Sequence, residues 1–295
     1  MRILISGATG MVGTELCAAL AAQNHQVTKL VRGKAGPGEV LWNPLSGQLD
    51  ATQLEGIDAV VHLAGENIAG RWTISKKKAI RESRTLGTKT LCDALMKMQT
   101  PPKVLVSASA IGFYGNRGNE ILTEESTPGS GFLPEVCKAW EDASMPAEKS
   151  GIRTVRLRIG VVLSKKGGAL GKMLTPFKLG VGGVIGSGTQ YMSWVSLEDV
   201  VGSILFALNT QSLSGPINVV GKVAATNREF TKALGAAVSR PTIFPMPAFV
   251  AKLAFGEMAN DLLLGSTRVK PERLERSGYV FKHPDLAGAL KAAIA

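Results

Sequence analysis

The sequence predicts an α/β protein built on a doubly wound parallel sheet, with a smaller and mostly helical domain toward its carboxyl-terminal end. Apolar runs alternate with helical patterns through the first half of the chain. These runs are apolar on both faces, which is typical of parallel strands covered by helices on each side. Gly7, Gly10 and Gly13 follow the first run, where a strand would turn directly into a helix.

The first half of the chain supplies the predicted sheet and its covering helices. Strands are expected at Arg2–Ser6, Gln26–Val31, Asp58–Leu63, Lys103–Ser107 and Arg153–Ile159. Helices are expected at Met11–Ala22, Ser75–Met98 and Leu133–Ser150. Between residues 33 and 56 the helical pattern is weak, and Val40-Leu41-Trp42 predicts either an extra strand pair or a short loop.

In the second half of the chain, predicted strands and helices no longer alternate regularly. Dense glycines between residues 167 and 188 predict a mobile loop near a site. Strands at Tyr191–Leu197 and Pro216–Val220 are expected around a helix at Glu198–Leu208, and Thr226 with Glu229 forms a capping box that opens a helix through Val238. Further helices are expected at Pro245–Phe255, Lys270–Ser277 and Asp285–Ile294. We therefore predict a nucleotide-binding domain of residues 1–160 plus about 190–222, and a substrate-binding lid of residues 161–189 plus 223–295.

The stretch RILISGATGMVG at residues 2–13 is the strongest functional signal. A helix that opens directly after a strand leaves its first N–H groups unpaired, and its dipole favours an anion there. Glycine removes the Cβ atoms that would hold a pyrophosphate away from the backbone. We therefore predict a Rossmann-type dinucleotide site formed by Gly7, Thr9, Gly10, Met11, Val12 and Gly13. The spacing is GxxGxxG rather than GxGxxG, and a strand–helix turn without a ligand is the alternative.

The identity of the dinucleotide is predicted from the end of the second strand, where Arg32 stands without an acidic residue nearby. An acid there would bind the ribose 2′-hydroxyl of NAD, whereas arginine binds a 2′-phosphate. NADP is therefore predicted in preference to NAD, and an exposed charge without a ligand is the alternative. The third strand ends in Leu63, Ala64 and Gly65, where small residues let adenine and pyrophosphate approach the backbone or simply form a turn.

Composition narrows the remaining classes of partner. The 295 residues are 45% hydrophobic and carry a net charge of +11, which indicates an anionic partner or a solvated basic surface. No nucleic-acid-binding motif accompanies the charge, so a nucleic-acid partner is not expected. No run approaches the roughly 18 apolar residues of a membrane helix, so association with a membrane is not expected either. The three cysteines and three histidines are scattered. This pattern predicts free thiols in a cytoplasmic setting and no metal site.

Several longer stretches resemble a known family. These are HLAGENIAGRWT at 62–73, RESRTLGTKTL at 81–91, SASAIGFYG at 107–115, LSGPINVV at 213–220 and GEMANDLLLGSTRVKPERLERSGYVF at 256–281. The chain resembles the extended short-chain dehydrogenase/reductase superfamily, and within it the epimerase-family subgroup with a characteristic C-terminal domain. The resemblance implies an NADP-dependent oxidoreductase or epimerase acting on a small polar substrate, such as a nucleotide sugar. An NADP(H)-binding regulator without turnover is the alternative.

The resemblance also implies catalytic residues, and here the chain departs from the family. Members use a tyrosine and a lysine four residues apart, together with a serine on the preceding strand, but none of the three tyrosines of this chain is followed by lysine at that spacing. Lys138 aligns with the ribose-binding lysine, and Pro134 stands at the tyrosine position. Ser109, or Ser107 two residues earlier on the same strand, aligns with the family serine, and a structural hydroxyl is the alternative for Ser109. Tyr114 is expected either to replace the missing acid or to serve as a packing aromatic.

The remaining candidates concern the substrate. Glu66 follows the third strand and is predicted to face the substrate. Arg84 stands where the family has asparagine, and it is predicted either to bind an anionic substrate group or to pair with an acid on its own helix. Trp194 is predicted to form a wall of the cleft, with a core position as the alternative. Helices at 75–98 and 132–150 are a candidate homodimer face.

Overall fold

The computed structural model describes all residues from 1 to 295. Apolar runs of the sequence form its strands, and short two- or three-residue strands add local pairs in the second half. In chain order the strands are β1 Arg2–Ser6, β2 Gln26–Val31, β3 Glu39–Asn43, β4 Gln48–Leu49, β5 Ala59–His62, β6 Val104–Ala110, β7 Ile121–Leu122, β8 Arg153–Ile159, β9 Val161–Leu163, β10 Tyr191–Met192, β11 Trp194–Ser196, β12 Gly215–Val219, β13 Ala225–Thr226 and β14 Arg268–Val269.

The helices follow the predicted periodic segments, with some differences in number and length. In chain order they are α1 Met11–Ala22, α2 Ile74–Leu95, α3 Phe132–Asp142, α4 Met145–Lys149, α5 Gly168–Lys178, α6 Leu197–Asn209, α7 Asn227–Ala237, α8 Ala248–Phe255, α9 Glu257–Leu262, α10 Glu272–Arg276 and α11 Leu286–Ile294. None of them combines the length and the apolar composition that crossing a membrane requires.

The central sheet confirms the predicted doubly wound architecture. Its eight strands lie in the order β12-β8-β6-β5-β1-β2-β3-β4, and all neighbours are parallel except β3 and β4. The strand order reverses at β1, whose neighbours are β2 on one side and β5 on the other. In such sheets the crevice at the carboxyl ends of the strands beside the reversal is the usual ligand site.

Two hydrophobic clusters fix the helices to the two faces of this sheet. On one face Leu16 of α1 and Ile204 of α6 pack against β-strand residues that include Ile5 and Val106. On the other face Leu91 and Leu95 of α2 pack against a second set of strand residues. The strands are therefore covered on both sides, as their uniformly apolar sequence predicts.

A third cluster joins elements of the second half. Leu170 of α5, Phe230 of α7 and Leu290 of α11 pack together with Leu163 of β9. The capping box of Thr226 and Glu229 at the start of α7 is confirmed, since both reciprocal hydrogen bonds are present. The proposed division into two domains stays a prediction.

The buried carboxylate of Asp199 holds the carboxyl-terminal segment against α6. It accepts hydrogen bonds from the backbone N–H groups of Lys282 at 2.7 Å and His283 at 3.1 Å. It also accepts the hydroxyl proton of Ser196 at 2.6 Å. These contacts order the chain between the main sheet and α11.

The structure corrects two predicted elements and decides a third. Residues 168–178, expected in a mobile loop, form α5, whose apolar face lies in the third cluster. The helix expected at 133–150 is divided into α3 and α4, and Pro146 lies in the first turn of α4, where a missing N–H is tolerated. Val40-Leu41-Trp42 lies in β3, which pairs with β4. Of the two alternatives, an extra strand pair or a short loop, the structure has the strand pair.

Candidate functional site

The glycine turn between β1 and α1 is packed too closely for side chains. Gly7 has φ +73°, and a Cβ built on it would lie 2.9 Å from the backbone nitrogen of Ala64. A Cβ on Gly13 would lie 2.1 Å from the carbonyl oxygen of Gly7. The N–H of Gly10 donates to that same carbonyl at 3.0 Å. Glycine is therefore required at positions 7 and 13 for the turn to form against the end of β5.

The amino terminus of α1 presents unpaired donors. Gly10 is the N-cap and supplies no side-chain acceptor, and the first turn holds no acidic residue. The first backbone hydrogen bond of the helix runs from the N–H of Thr14 to the carbonyl of Gly10. The preceding N–H groups, on Met11, Val12 and Gly13, have no acceptor within the helix. Together with the exposed Thr9, this turn fits a pyrophosphate group.

A buried hydrogen-bonded chain holds the opposite wall of the turn in place. The hydroxyl of Ser6 accepts the N–H groups of Leu63 and Ala64, both at 3.2 Å. Because the hydroxyl oxygen of Ser6 accepts these two N–H groups, its O–H donates a hydrogen bond to Nδ1 of His62 at 2.6 Å. The imidazole is therefore protonated at Nε2, which donates to the hydroxyl of Thr88 on α2 at 3.0 Å.

Burial keeps this imidazole neutral. His62 is completely buried, and desolvation lowers its pKa to about 4. A neutral ring is what the hydrogen bonds require, because Nδ1 must accept. The chain from β1 through β5 to α2 thus fixes the backbone that closes the glycine turn.

A cleft of about 410 Å³ lies beside this wall at the carboxyl end of the sheet. Its lining includes Arg32, Asn43, Glu66 and Ser83. Arg32 is exposed at the end of β2, where its guanidinium is available to a 2′-phosphate. The turn, the donors at α1 and this cleft together fit a dinucleotide.

Glu66 lies in the cleft but is already paired. Its carboxylate accepts a hydrogen bond from Nζ of Lys76 at 2.6 Å. That hydrogen bond, with the positive charges of Lys76, Arg32 and Arg84, holds the pKa of Glu66 below its usual range. The carboxylate is therefore ionised at neutral pH and can accept hydrogen bonds from a ligand.

Ser109 and Tyr114 lie in a buried polar network rather than at the surface of the cleft. The hydroxyl of Ser109 donates to Glu141 at 2.7 Å. The hydroxyl of Tyr114 donates to Asn218 at 2.7 Å and accepts from Nη1 of Arg158 at 2.9 Å. The side chain of Tyr114 has no exposed surface, and burial raises its pKa to about 12.

The centre of this network is a buried ion pair. Nε and Nη2 of Arg158 donate to the two carboxylate oxygens of Glu141 at 2.8 and 2.9 Å. The guanidinium also lies over the ring of Phe113, at 3.5 Å from its centroid. This arrangement places Tyr114 among buried side chains and gives the hydroxyl of Ser109 a carboxylate acceptor. The catalytic roles of both residues stay predictions.

Lys138 lies on the exposed face of α3, and its Nζ contacts Asp142 at 2.6 Å on the same helix. The face of α3 that turns toward the β6 loop carries Leu133 and Cys137 instead, both within 3.4 Å of a Cβ built on Gly112. The placement of Lys138 gives it a surface ion pair and does not bring it to the loop that follows β6. Its predicted contact with a ribose therefore has no support from this geometry.

Trp194 occupies the core position that was the alternative to a cleft wall. It is 1% exposed and belongs to the cluster formed by α5, α7 and α11. Its side chain packs against the backbone of Gly221, where an added Cβ would lie 3.0 Å from the indole. Trp194 is thus placed to support the fold rather than to contact a ligand.

The sequence analysis did not identify the buried residues whose hydrogen bonds support the site. Glu141 and Arg158 come from α3 and β8, and Asn218 comes from β12, so only the fold brings them together. Ser6 and Thr88 are also far from His62 in the sequence, by 56 and 26 positions. The one available signal was charge: Arg156 and Arg158 alternate with Val155, Leu157 and Ile159 in the second part of β8, which indicates buried partners.

Two family models match the chain. The NAD dependent epimerase/dehydratase family matches residues 3–221. A domain of unknown function, DUF1731, matches residues 246–293. The first match covers the sheet with its glycine turn, and the second covers α8 through most of α11. Both agree with the resemblance inferred from HLAGENIAGRWT and the other stretches.

Individual proteins extend this comparison over the whole chain. Epimerase family protein Mb2239 of Mycobacterium bovis is 44% identical over 290 residues, covering 98% of this chain and 96% of its own. A crystal structure of human epimerase family protein SDR39U1 (isoform2) with NADPH has a TM-score of 0.92 and 38% identity, covering 99% of each chain. The nucleoside-diphosphate sugar epimerase from Corynebacterium glutamicum has a TM-score of 0.82 and 37% identity, covering 99% of this chain and 59% of its own.

Proposed function

Because this chain belongs to the NAD dependent epimerase/dehydratase family, we propose that it binds NADPH and acts as an oxidoreductase or epimerase on a small polar substrate. The observation that supports this most strongly is the glycine turn, in which a Cβ at Gly7 or Gly13 would collide with backbone atoms. The N–H groups at the start of α1 would hold the pyrophosphate. Arg32 would bind the 2′-phosphate, which selects NADPH over NADH.

When bound, the nicotinamide cofactor supplies a hydride donor or acceptor, and the chain must position the substrate beside it. Glu66 and Arg84 are the charged side chains beside the end of β5, and they would orient a polar substrate. Ser109 and Tyr114 would stabilise the fold, because their hydroxyl protons are donated to Glu141 and Asn218. The similarity to a protein described as a nucleoside-diphosphate sugar epimerase makes nucleotide sugars the first substrates to test.

A regulatory role without turnover is the second candidate function. The absence of a tyrosine–lysine pair at four-residue spacing and the burial of Tyr114 favour it. In that role NADPH binding would alter the protein's contact with a partner, and a homodimer through α2 and α3 remains a prediction. Turnover separates the two functions: oxidation of NADPH with any member of a carbonyl library supports the enzyme. No oxidation across chemically diverse carbonyls and nucleotide sugars supports the regulator.

The cofactor preference is tested by fluorescence titration of NADPH and NADH into wild-type protein, Arg32→Ala and Lys103→Ala. Lys103 is exposed just before β6, at the amino end of a parallel strand, whereas Arg32 follows the carboxyl end of β2. The Lys103→Ala variant therefore controls for the loss of one charge. We expect Arg32→Ala to weaken NADPH binding by about 10- to 100-fold, as for the loss of a charged hydrogen bond, and to leave NADH unchanged. Tighter binding of NADH by the wild type, or an unaltered NADPH affinity in Arg32→Ala, would overturn the assignment.

A further inference from the structure

Arg84 is a half-buried cation that lacks an acidic partner. It lies on α2, and the structure places no carboxylate within salt-bridge distance of its guanidinium. The nearby carboxylate of Glu66 is paired with Lys76 instead. Burial lowers the pKa of Arg84, yet arginine stays charged at neutral pH. A desolvated charge of this kind is costly unless an anion balances it.

Only one nitrogen of this guanidinium is engaged. Nη1 donates to the carbonyl oxygens of Glu66 and Ile80, both at 3.0 Å. Nε and Nη2 have no hydrogen-bond partner within the protein. Neither atom is fully buried, so both are accessible to solvent. Nε–H and Nη2–H lie along the same edge of the planar group. That edge is therefore open to solvent and has no acceptor within the protein.

Arg158 shows what such an edge binds in this same protein. Its Nε and Nη2 donate in parallel to the two oxygens of the Glu141 carboxylate, at 2.8 and 2.9 Å. A fork of two parallel N–H groups matches two oxygens of a carboxylate or a phosphate. The free edge of Arg84 has the same donors and lacks the acceptor.

The location of Arg84 connects this edge to the cofactor site. A Cβ built on Gly65 would lie 3.3 Å from Cζ of Arg84, so the guanidinium rests directly against the backbone that follows β5. The neighbouring residue, Ala64, is the one that closes on Gly7. On its other side the guanidinium lies 5.0 Å from the ring centroid of Trp140, whose indole N–H also lacks an acceptor. Arg84 and Trp140 therefore both carry N–H groups that have no acceptor within the protein.

We propose that Arg84 binds the anionic group of the substrate, a carboxylate or a phosphate, through its free Nε and Nη2 edge. The inference rests on the proposed function for the idea that this anion belongs to the molecule that reacts with the cofactor. The presence of an anion subsite can be tested separately from NADPH binding. The substrate class that follows is a small carbonyl or hydroxyl compound with a carboxylate or a phosphate group.

The test uses protein labelled with ¹⁵N at arginine and saturated with NADPH. Formate and inorganic phosphate are the probes because their small size demands no further fit, and formamide is the neutral control. The Nε–H resonance of Arg84, assigned by its disappearance in Arg84→Gln, reports the contact directly. Arg81→Gln serves as the matched control, because Arg81 is exposed one turn earlier on α2.

We expect formate or phosphate to shift the Arg84 resonance in a saturable way, with at least a tenfold lower dissociation constant than formamide. A larger effect of formate assigns the subsite to carboxylates, and a larger effect of phosphate assigns it to phosphates. Arg84→Gln should lose this anion binding, whereas Arg81→Gln should retain it and both should bind NADPH within twofold of wild type. Arg84→Lys keeps the charge without the fork and should bind the anion at least threefold more weakly.

Three results would overturn the proposal. The first is an Arg84 resonance that neither anion shifts. The second is anion binding that survives in Arg84→Gln. The third is a tenfold loss of NADPH affinity in Arg84→Gln with no such loss in Arg81→Gln, which would assign the edge to the cofactor itself. Failure of NADPH to bind wild-type protein would instead contradict the proposed function. The shift of the Arg84 resonance by formate or phosphate would then be measured on the protein without NADPH.

Discussion

The hydroxyl of Ser6 and the imidazole of His62 form a 2.6 Å hydrogen bond between adjacent strands of the central sheet. Through this contact Ser6 can also accept the N–H groups of Leu63 and Ala64. The backbone of Ala64 is the surface against which Gly7 packs without a Cβ. A buried side-chain pair thus determines the shape of the turn to which we assign the pyrophosphate.

Replacing Ser6 with alanine is expected to destabilise the protein and to weaken NADPH binding. The substitution leaves the N–H of Ala64 and Nδ1 of His62 without partners, whereas the N–H of Leu63 keeps the backbone carbonyl of residue 6 as an acceptor at 3.1 Å. The loss costs about 1–3 kcal/mol in the free energy of unfolding. Urea denaturation at pH 7 measures this change. Ser46→Ala, at an exposed position in the turn between β3 and β4, should leave stability unchanged. Equal unfolding free energies for both variants would contradict the account of the Ser6 network.

The stability of the protein is expected to fall as the pH is lowered from 6.5 to 4. His62 has a pKa of about 4 in the folded protein against 6.5 as its ordinary value. The unfolded chain therefore binds a proton in this range that the folded protein does not, and the free energy of unfolding decreases by about 3 kcal/mol. Denaturation measured across this range in wild type and His62→Gln isolates the contribution. A slope that is the same in both proteins would show that His62 is not the group responsible.

Glu141→Gln is expected to be strongly destabilising, because it leaves the buried guanidinium of Arg158 without its counter-charge. Breaking one side of such a pair costs about 3–5 kcal/mol. The matched control is Glu135→Gln, which removes an exposed carboxylate from the same helix. Guanidinium chloride denaturation should separate the two variants clearly. If they unfold at the same denaturant concentration, the ion pair does not have the structural role assigned to it.

The fold and the glycine turn were predictable from the sequence because their signals are local. Gly7, Gly10 and Gly13 lie within seven residues, and the physical reason for glycine at positions 7 and 13 is visible in the contacts that a Cβ would make. The capping box of Thr226 and Glu229 is local in the same way. Such features depend on spacing along the chain and need no knowledge of tertiary packing.

The hydrogen-bond partners of Ser109 and Tyr114 could not be predicted from spacing along the chain. Ser109 has Glu141 as its partner, and Tyr114 has Asn218, 104 positions away in the sequence. A hydroxyl at the end of a strand has the same local sequence whether it faces a ligand or a buried carboxylate. Trp194 illustrates the same limit, since α5, α7 and α11 bury a side chain that local sequence places beside the cleft.

The central claim is that NADPH binds at the turn formed by Gly7, Gly10 and Gly13. Isothermal titration calorimetry of NADPH into wild type, Gly13→Ala and Gly36→Ala tests it most directly, at a temperature where circular dichroism shows all three folded. A Cβ at position 13 would lie 2.1 Å from the Gly7 carbonyl, whereas one at position 36 makes only an ordinary contact at 3.5 Å.

We predict one NADPH bound per chain in wild type and Gly36→Ala, and an affinity at least tenfold lower in Gly13→Ala. No heat of binding from either NADPH or NADH with the wild-type protein, or equal NADPH affinity in all three proteins, would contradict it.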